Sequence, residues 1–404
     1  MSCQSPASDN QEKKLSIVTL DPGHFHAALV QKTMYPDISP HVHVYAPDGP
    51  DVQAHLARIE QYNKRADNPT SWDEELISGP DYFEKMLADK AGDVVILSGN
   101  NRKKTEYILK SLNAGFNVLA DKPMVIDAGN YDLLQTAFNV AAKKKLLLYD
   151  IMTERYEITT MLQKELSMID SIFGKLEKGS PDDPAITKES VHHFYKYVSG
   201  NVLTRPAWFL DVNQQGEGIV DVMTHLVDLV QWECFPEIVL DTSDIKVNTA
   251  KRWATDMNLS QFKAITKLDS LPEFLKSKLV NDSVLQVYSN GEINYTLRGV
   301  HAKTSVIWKY QAPEGAGDTH YSIMRGTSAN LIIRQGAEQQ YKPTLYIEPI
   351  VITKEYVSTL LESFKAIQAK FPGVELKQLA NMTFEVVIPE KYKEGHEAHF
   401  ARVT

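Results

Sequence analysis

The 404-residue sequence contains only two cysteines, Cys3 and Cys234. That is too few for a disulfide framework, and their spacing is not that of a metal-ligand pair. No apolar run approaches the roughly 20 residues that a bilayer-spanning helix requires. Basic residues are not in excess: 43 Lys and Arg stand against 52 Asp and Glu, a formal net charge of -9. Nucleic acid is therefore excluded as a partner, since its phosphates must be neutralised by cationic side chains. Internal repeats and low-complexity stretches are also missing. What is present is 43% hydrophobic and 24% charged residues, the composition of a soluble globular protein long enough for two domains.

Residues 1–14 are polar and aperiodic, which predicts a flexible tail. A cysteine at the head of a polar tether, as at Cys3, suits a lipid anchor on an exported, periplasmic lipoprotein. The alternative is a cytoplasmic start with a chance cysteine, as no basic and apolar signal segment is present.

From residue 15 to 150, β-rich runs alternate with helical ones. The strands expected are Leu15 to Leu20, His41 to Tyr45, Asp93 to Leu97, Phe116 to Ala120 and Leu146 to Tyr149. Between them lie helices over Ala27 to Lys32, around Ile108 to Leu112 with a stop at Gly115, and over Tyr131 to Ala142. Such alternation predicts a parallel, doubly wound α/β sheet with its ligand at the carboxyl ends of the strands. A dinucleotide turn after the first strand ordinarily carries Gly-x-Gly-x-x-Gly. Here the run is Asp21-Pro22-Gly23-His24-Phe25-His26, with one glycine. Gly23 and the amides of His24 and Phe25 are the candidates to approach a pyrophosphate. Asp48, after the second strand, is the candidate for the ribose hydroxyls. His24 and His26 have no third ligand of suitable spacing nearby, so no metal is expected.

Two later motifs are more specific. Ala120-Asp121-Lys122-Pro123-Met124 puts a lysine and a backbone-fixing proline at a strand end. Gly216-Glu217-Gly218 leads into a segment apolar on all sides through Trp232, the mark of a buried helix. Within it Asp221, Thr224, His225 and Asp228 form one polar stripe at i, i+3, i+4 and i+7. Each unsatisfied buried polar group costs about 1–3 kcal/mol, so the stripe must face a polar partner or a cavity. An internal hydrogen-bond network is one reading; a reaction site is the other. Asp228 suits structural support better than direct chemistry.

These motifs resemble the glucose–fructose oxidoreductase / inositol dehydrogenase (Gfo/Idh/MocA) family. It carries Glu-Lys-Pro at the first place and a Gly-Gly-x-x-x-Asp-x-x-x-His-x-x-Asp helix at the second. Asp121 stands where the family has glutamate, and Glu217 interrupts the glycine pair. Ser98-Gly99-Asn100 resembles the family's Thr-Pro-Asn, and Pro206-Ala207-Trp208 its tryptophan segment. The resemblance implies NAD or NADP as cofactor, with Asp48 leaning to NAD, and retention of the cofactor if the protein is exported. It also implies a sugar or polyol substrate and a homodimer or homotetramer built on an open-faced sheet. Ser98, Asn100, Asp121, Lys122 and Pro123 would join Gly23, His24, Phe25 and Asp48 at the cofactor, and Arg155, Trp208 and His193 would meet substrate. Residues 151–404 would form an α+β domain, with strands at Val191 to Val198, Val284 to Tyr288, Tyr295 to Val300, Lys303 to Tyr310 and Ala329 to Ile333. Its extension past about residue 335 adds Leu345 to Ile347, a helix over Lys354 to Lys370 and Phe384 to Ile388.

The chemistry expected is hydride transfer between nicotinamide and a carbinol carbon. His225 would be acid/base, Lys122 would stabilise the alkoxide, and Asp221 would bind an adjacent hydroxyl or tune the histidine. The alternatives are a glycosidase using NAD for transient oxidation, and a non-catalytic sugar- or nucleotide-binding protein.

Overall fold

The computed structural model describes residues 14–198 and 201–403. The tail expectation and the anchor at Cys3 lie outside the described residues. Two compact units form. The first takes residues up to Gly99, with Lys103–Asp121 and Tyr131–Asp150. The second takes Asn100–Arg102, Lys122–Asn130 and everything from Ile151. One of the crossings between them falls on the peptide bond joining Asp121 to Lys122.

In the first unit β1 (Ile17–Leu20), α1 (His26–Leu29), β2 (His41–Ala46), α2 (Pro50–Lys64) and β3 (Asp73–Ser78) come first. There follow α3 (Tyr82–Asp89), β4 (Val94–Leu97), α4 (Lys104–Ala114), β5 (Asn117–Asp121), α5 (Tyr131–Lys144) and β6 (Leu148–Ile151). The sheet runs β3-β2-β1-β4-β5-β6, and its registered pairs are parallel. The order reverses between β1 and β4, the switch point at which such sheets bind ligands. β1 is buried along its whole length, which is why it reads as an apolar run without alternation. α4 stops where Gly115 turns left-handed, φ 99°. The sequence reading misses β3, because Asp73-Glu74-Glu75 look like loop. It is an edge strand, where charges guard against unwanted pairing.

The second unit holds α6 (Ile158–Ser167), α7 (Asp170–Phe173), β7 (Ile186–Tyr195), β8 (Tyr197–Val198), β9 (Asn201–Val202), α8 (Val212–Gln215) and α9 (Met223–Cys234). Next come β10 (Ile245–Asn258), α10 (Leu259–Thr266), α11 (Glu273–Lys276), β11 (Leu279–Val280), β12 (Val284–Leu297) and β13 (Val300–Gln311). The chain closes with β14 (Thr319–Arg325), β15 (Ala329–Gln335), β16 (Thr344–Pro349), α12 (Lys354–Ser363), α13 (Lys365–Lys370), β17 (Glu375–Gln378), β18 (Phe384–Val387) and α14 (His396–Val403).

Its large sheet runs β10-β12-β13-β7-β14-β15-β16-β18-β17, with β11 beside β12. Only β13 and β7 pair in parallel among these registered strands. The runs expected at Val284 to Tyr288 and Tyr295 to Val300 belong largely to one long strand, β12, through Asn290 and Gly291. Residues past 335 are an integral part of this unit. Leu345, Ile347, Leu360, Phe364, Ile367, Phe384 and Val386 share one core cluster with Leu162, Leu166 and Leu331. A large-to-small change in such a cluster costs about 2–5 kcal/mol.

Candidate active site

The strand ends of the first unit collect most of the residues predicted for a cofactor. Gly23, His24 and Phe25 follow β1, Ser98 follows β4, and Asp121 ends β5. The turns after β1 and β4 touch backbone to backbone. A Cβ on Gly99 would stand 2.1 Å from the Asp21 carbonyl oxygen and 2.8 Å from the Gly23 nitrogen, so only glycine fits there. The His24 amide, expected to face a phosphate, instead donates to the Ser98 carbonyl at 3.3 Å. That is a correction to the simple anion-cradle reading of this turn: its amide tightens the two strand ends instead.

Asp21 opens the same turn. Its carboxyl faces the Tyr82 hydroxyl, which donates to it at 3.4 Å. Burial, with Asp51 adding repulsion, pushes its pKa up to about 6, so part of its charge is neutralised near neutral pH. Its φ of 48° lies in the left-handed region, which aspartate tolerates better than most residues. Asp48 is exposed in the turn after β2. The turn, the switch point and an acid after β2 together fit a dinucleotide, despite the missing glycines.

Asp121 is the hub of this cluster. Its Oδ2 accepts from Ser98 Oγ at 2.9 Å, lies 2.9 Å from His26 Nδ1 and 3.7 Å from His24 Nδ1. The Lys104 ammonium donates to its main-chain carbonyl at 2.9 Å. Burial alone would push this carboxyl up, but His26, Lys104 and His24 outweigh it and hold it well below the usual range.

One residue later the chain enters the second unit, through a cis Lys122–Pro123 peptide. Lys122 Nζ donates to Asp221 Oδ1 at 2.8 Å and to the Asp221 carbonyl at 3.1 Å. Both side chains are about nine-tenths buried, at 10% and 9% exposure. Burial raises the Asp221 carboxyl, yet Lys122, Gln215 and His225 together bring it below its ordinary value. The pair therefore sits as ammonium and carboxylate.

The helix expected from Gly218 begins only at Met223. Asp221 lies in the turn before it, and His225 in its first turn. The reason is steric. A Cβ on Gly218 would meet the Ser289 carbonyl oxygen at 1.8 Å, and one on Gly291 would meet Ile219 at 1.9 Å. The turn is thus pressed onto β12, and Gly216 takes φ 99°, so these glycines admit backbone. Thr224, third in the predicted stripe, bonds its hydroxyl back to the Val220 carbonyl at 2.5 Å.

The remaining candidates have visible partners. Asn100 Nδ2 donates to Gln214 Oε1 at 2.7 Å, which ties this loop to α8. Arg155 grips Asp228 with two hydrogen bonds, and this gives Asp228 its supporting role. Trp208 is buried in an apolar cluster with Phe194, Phe209 and Trp308. His193 Nδ1 lies 2.9 Å from Asp318 Oδ1, and Lys196 reaches the other oxygen at 2.7 Å.

Three neighbours escape sequence reasoning. Gln215 touches Asp221. Arg205 is buried against the rings of Phe209 and Trp308, and bonds the Phe194 and His193 carbonyls. Burial draws its pKa down to about 10 against the pull of Asp221 and Asp318. Asp318 sits in a polar loop that no motif marks.

Two family models match the chain. Residues 22–150 match the family described as "Oxidoreductase family, NAD-binding Rossmann fold", and residues 162–404 match an oxidoreductase C-terminal domain family. The chain belongs to the Gfo/Idh/MocA family of NAD(P)-dependent oxidoreductases. A Parabacteroides merdae protein described as an oxidoreductase is 54% identical, with 97% of this chain and 90% of that chain covered and a TM-score of 0.94. An oxidoreductase of Thermotoga maritima shares the fold at 14% identity and TM-score 0.54, over 96% of this chain and 97% of that one. The 3-ketoreductase KijD10 of Actinomadura kijaniata, solved with NADP and TDP-benzene, does so at 12% identity and TM-score 0.51, over 96% of each chain. GenD2 of gentamicin A biosynthesis, solved with NAD, covers 82% of this oxidoreductase and 76% of its own chain at 14% identity and TM-score 0.51. No curated protein matches the sequence.

Proposed function

We propose that this oxidoreductase moves hydride between nicotinamide and a hydroxyl-bearing carbon of a sugar, glycoside or polyol. The observation that carries it is the buried Lys122–Asp221 ion pair at 2.8 Å, one turn ahead of His225. The nicotinamide, when bound, supplies the hydride acceptor or donor. Gly23, Ser98, Asp48 and Asp121 would hold the dinucleotide, and Asp48, an acid that would bind the ribose hydroxyls, leans to NAD over NADP. Neighbours of the same fold bind either form.

His225 takes the substrate hydroxyl proton during oxidation and returns it during reduction, within hydrogen-bond reach of the reacting oxygen. Lys122 holds that oxygen with its ammonium and stabilises the negative charge growing there. Asp221 keeps Lys122 charged and orients it, since a lone buried ammonium would shed its proton. The ketoreductase neighbour KijD10 supports carbonyl reduction as the direction to test first.

The test is His225→Ala with bound nucleotide followed by mass or fluorescence. Turnover should fall by about 10²–10⁴-fold, the usual worth of a positioned acid/base, while nucleotide is retained. Full turnover in that variant would refute the assignment.

A further inference from the structure

We propose that His24 Nδ1, His26 Nδ1 and Asp121 Oδ2 form a binding site for a first-row transition-metal dication of the zinc type, facing the dinucleotide turn. The three ligand atoms lie within 4.8 Å of one another, on two segments brought together by the fold. Asp121 Oδ2 stands 2.9 Å from one imidazole nitrogen and 3.7 Å from the other. An ion with bonds of about 2.0–2.1 Å in tetrahedral geometry sets its ligands about 3.3 Å apart, midway between those distances. Two imidazoles and one carboxylate are a donor set for zinc, cobalt, nickel or iron(II), and a poor one for magnesium or calcium. Three protein ligands leave one position open.

The surroundings are those of a built site. Ser98 Oγ donates to the ligating oxygen at 2.9 Å and fixes the carboxylate, as outer hydrogen bonds do around bound metals. Lys104 donates to the main-chain carbonyl of Asp121, not to the ligating oxygen. A second cluster, His41, His43 and Glu75, also brings its ligand atoms within 4.8 Å of one another. Its side chains are 42%, 22% and 56% exposed, so it is a solvated surface network and serves as the internal control.

Charge gives the site a use. Asp121 and Lys104 sum to zero, so an added dication outweighs the remaining charge of Asp21 and leaves the turn positive. That attracts a diphosphate and would do the work of the absent glycine amides. This last clause rests on the dinucleotide reading above; the binding of the ion does not.

Zinc chloride titrated calorimetrically into the metal-free full chain should show one tight site. His24→Ala and His26→Ala should each weaken it by at least about 100-fold, and Ser98→Ala by about 10–100-fold. His43→Gln should leave it unchanged. In case a buried variant fails to fold, Co2+ added to the wild-type protein should give visible d–d bands of a nitrogen- and oxygen-ligated ion, removable by zinc. Zinc binding that survives His24→Ala and His26→Ala, or is lost in His43→Gln, overturns the proposal. So does a wild-type chain that binds NAD+ but no zinc, which leaves the cofactor reading intact. Zinc bound as described without any NAD+ binding upholds the metal site and removes the cofactor reading instead.

Discussion

Asp121 and Asp221 are both buried carboxylates held below their ordinary pKa, yet they are held by different means. Asp121 closes a strand of the first unit and faces two imidazoles and a serine. Asp221 lies in a turn of the second unit and faces the ammonium of Lys122. Lysine stays charged across the neutral range, so its pair is a fixed electrostatic element, suited to hold a developing alkoxide. Imidazoles exchange protons and accept metals near neutral pH, so their pair can change state. Asp121 and Lys122 are neighbours in the chain, and the backbone turns one side chain to each cluster. Both carboxylates stabilise the fold above the ordinary carboxyl range, and that stabilisation is lost as pH falls through their lowered values.

The sharpest way to break the contrast is Lys122→Ala. It should lower kcat by about 10²–10³-fold, the worth of one oxyanion-type donor, with nucleotide affinity little changed. Steady-state kinetics beside a binding titration decide it; a loss confined to nucleotide affinity would place Lys122 with Asp121.

A third carboxylate, Asp21, runs the other way. Its folded pKa of about 6 lies above its ordinary value, so ionisation opposes folding once pH exceeds the unfolded value. Asp21→Asn should therefore stabilise the protein by about 3 kcal/mol at pH 8, a shift of roughly two pKa units. The gain should shrink through pH 6 and vanish below pH 4, as read by denaturant unfolding at each pH. A gain independent of pH would sink the burial account.

Asp121→Asn comes next. Loss of charged hydrogen bonds worth about 1.5–3 kcal/mol should weaken nucleotide binding by about 10–100-fold while kcat at saturation is largely kept. An equal fall in kcat would erase the division of labour between the two carboxylates. Smallest is Arg155→Lys, which breaks the two-point grip on Asp228. Arg155 is about a third exposed, so unfolding stability should drop by under about 1 kcal/mol. A large rise in KM with little change in stability would return Arg155 to the substrate.

The first unit was legible because parallel strands covered on both faces are written as short apolar runs, and Val94 to Leu97 is one. Lys122 and Asp221 were legible because a charged residue beside proline and a polar stripe in apolar sequence both conflict with their surroundings. Asp318 was not legible. It lies 125 residues from His193, and an acid in a polar loop looks like solvent-facing chain until the sheet brings β7 alongside it. The start of α9 was misplaced because what holds off the helix is the close approach of Gly218 to the Ser289 carbonyl, which no periodicity carries.

By itself the sequence determined the alternation of strands and helices and the family, and it singled out the lysine, aspartate and histidine proposed for the site, since these depend on short-range pattern. Only tertiary structure decided which partners the buried charges take. His26 meets Asp121 across 95 residues, and Lys122 meets Asp221 across 99. The state of a buried charge is set by the few groups within a few ångströms of it, and their neighbourhood exists only once the chain has folded.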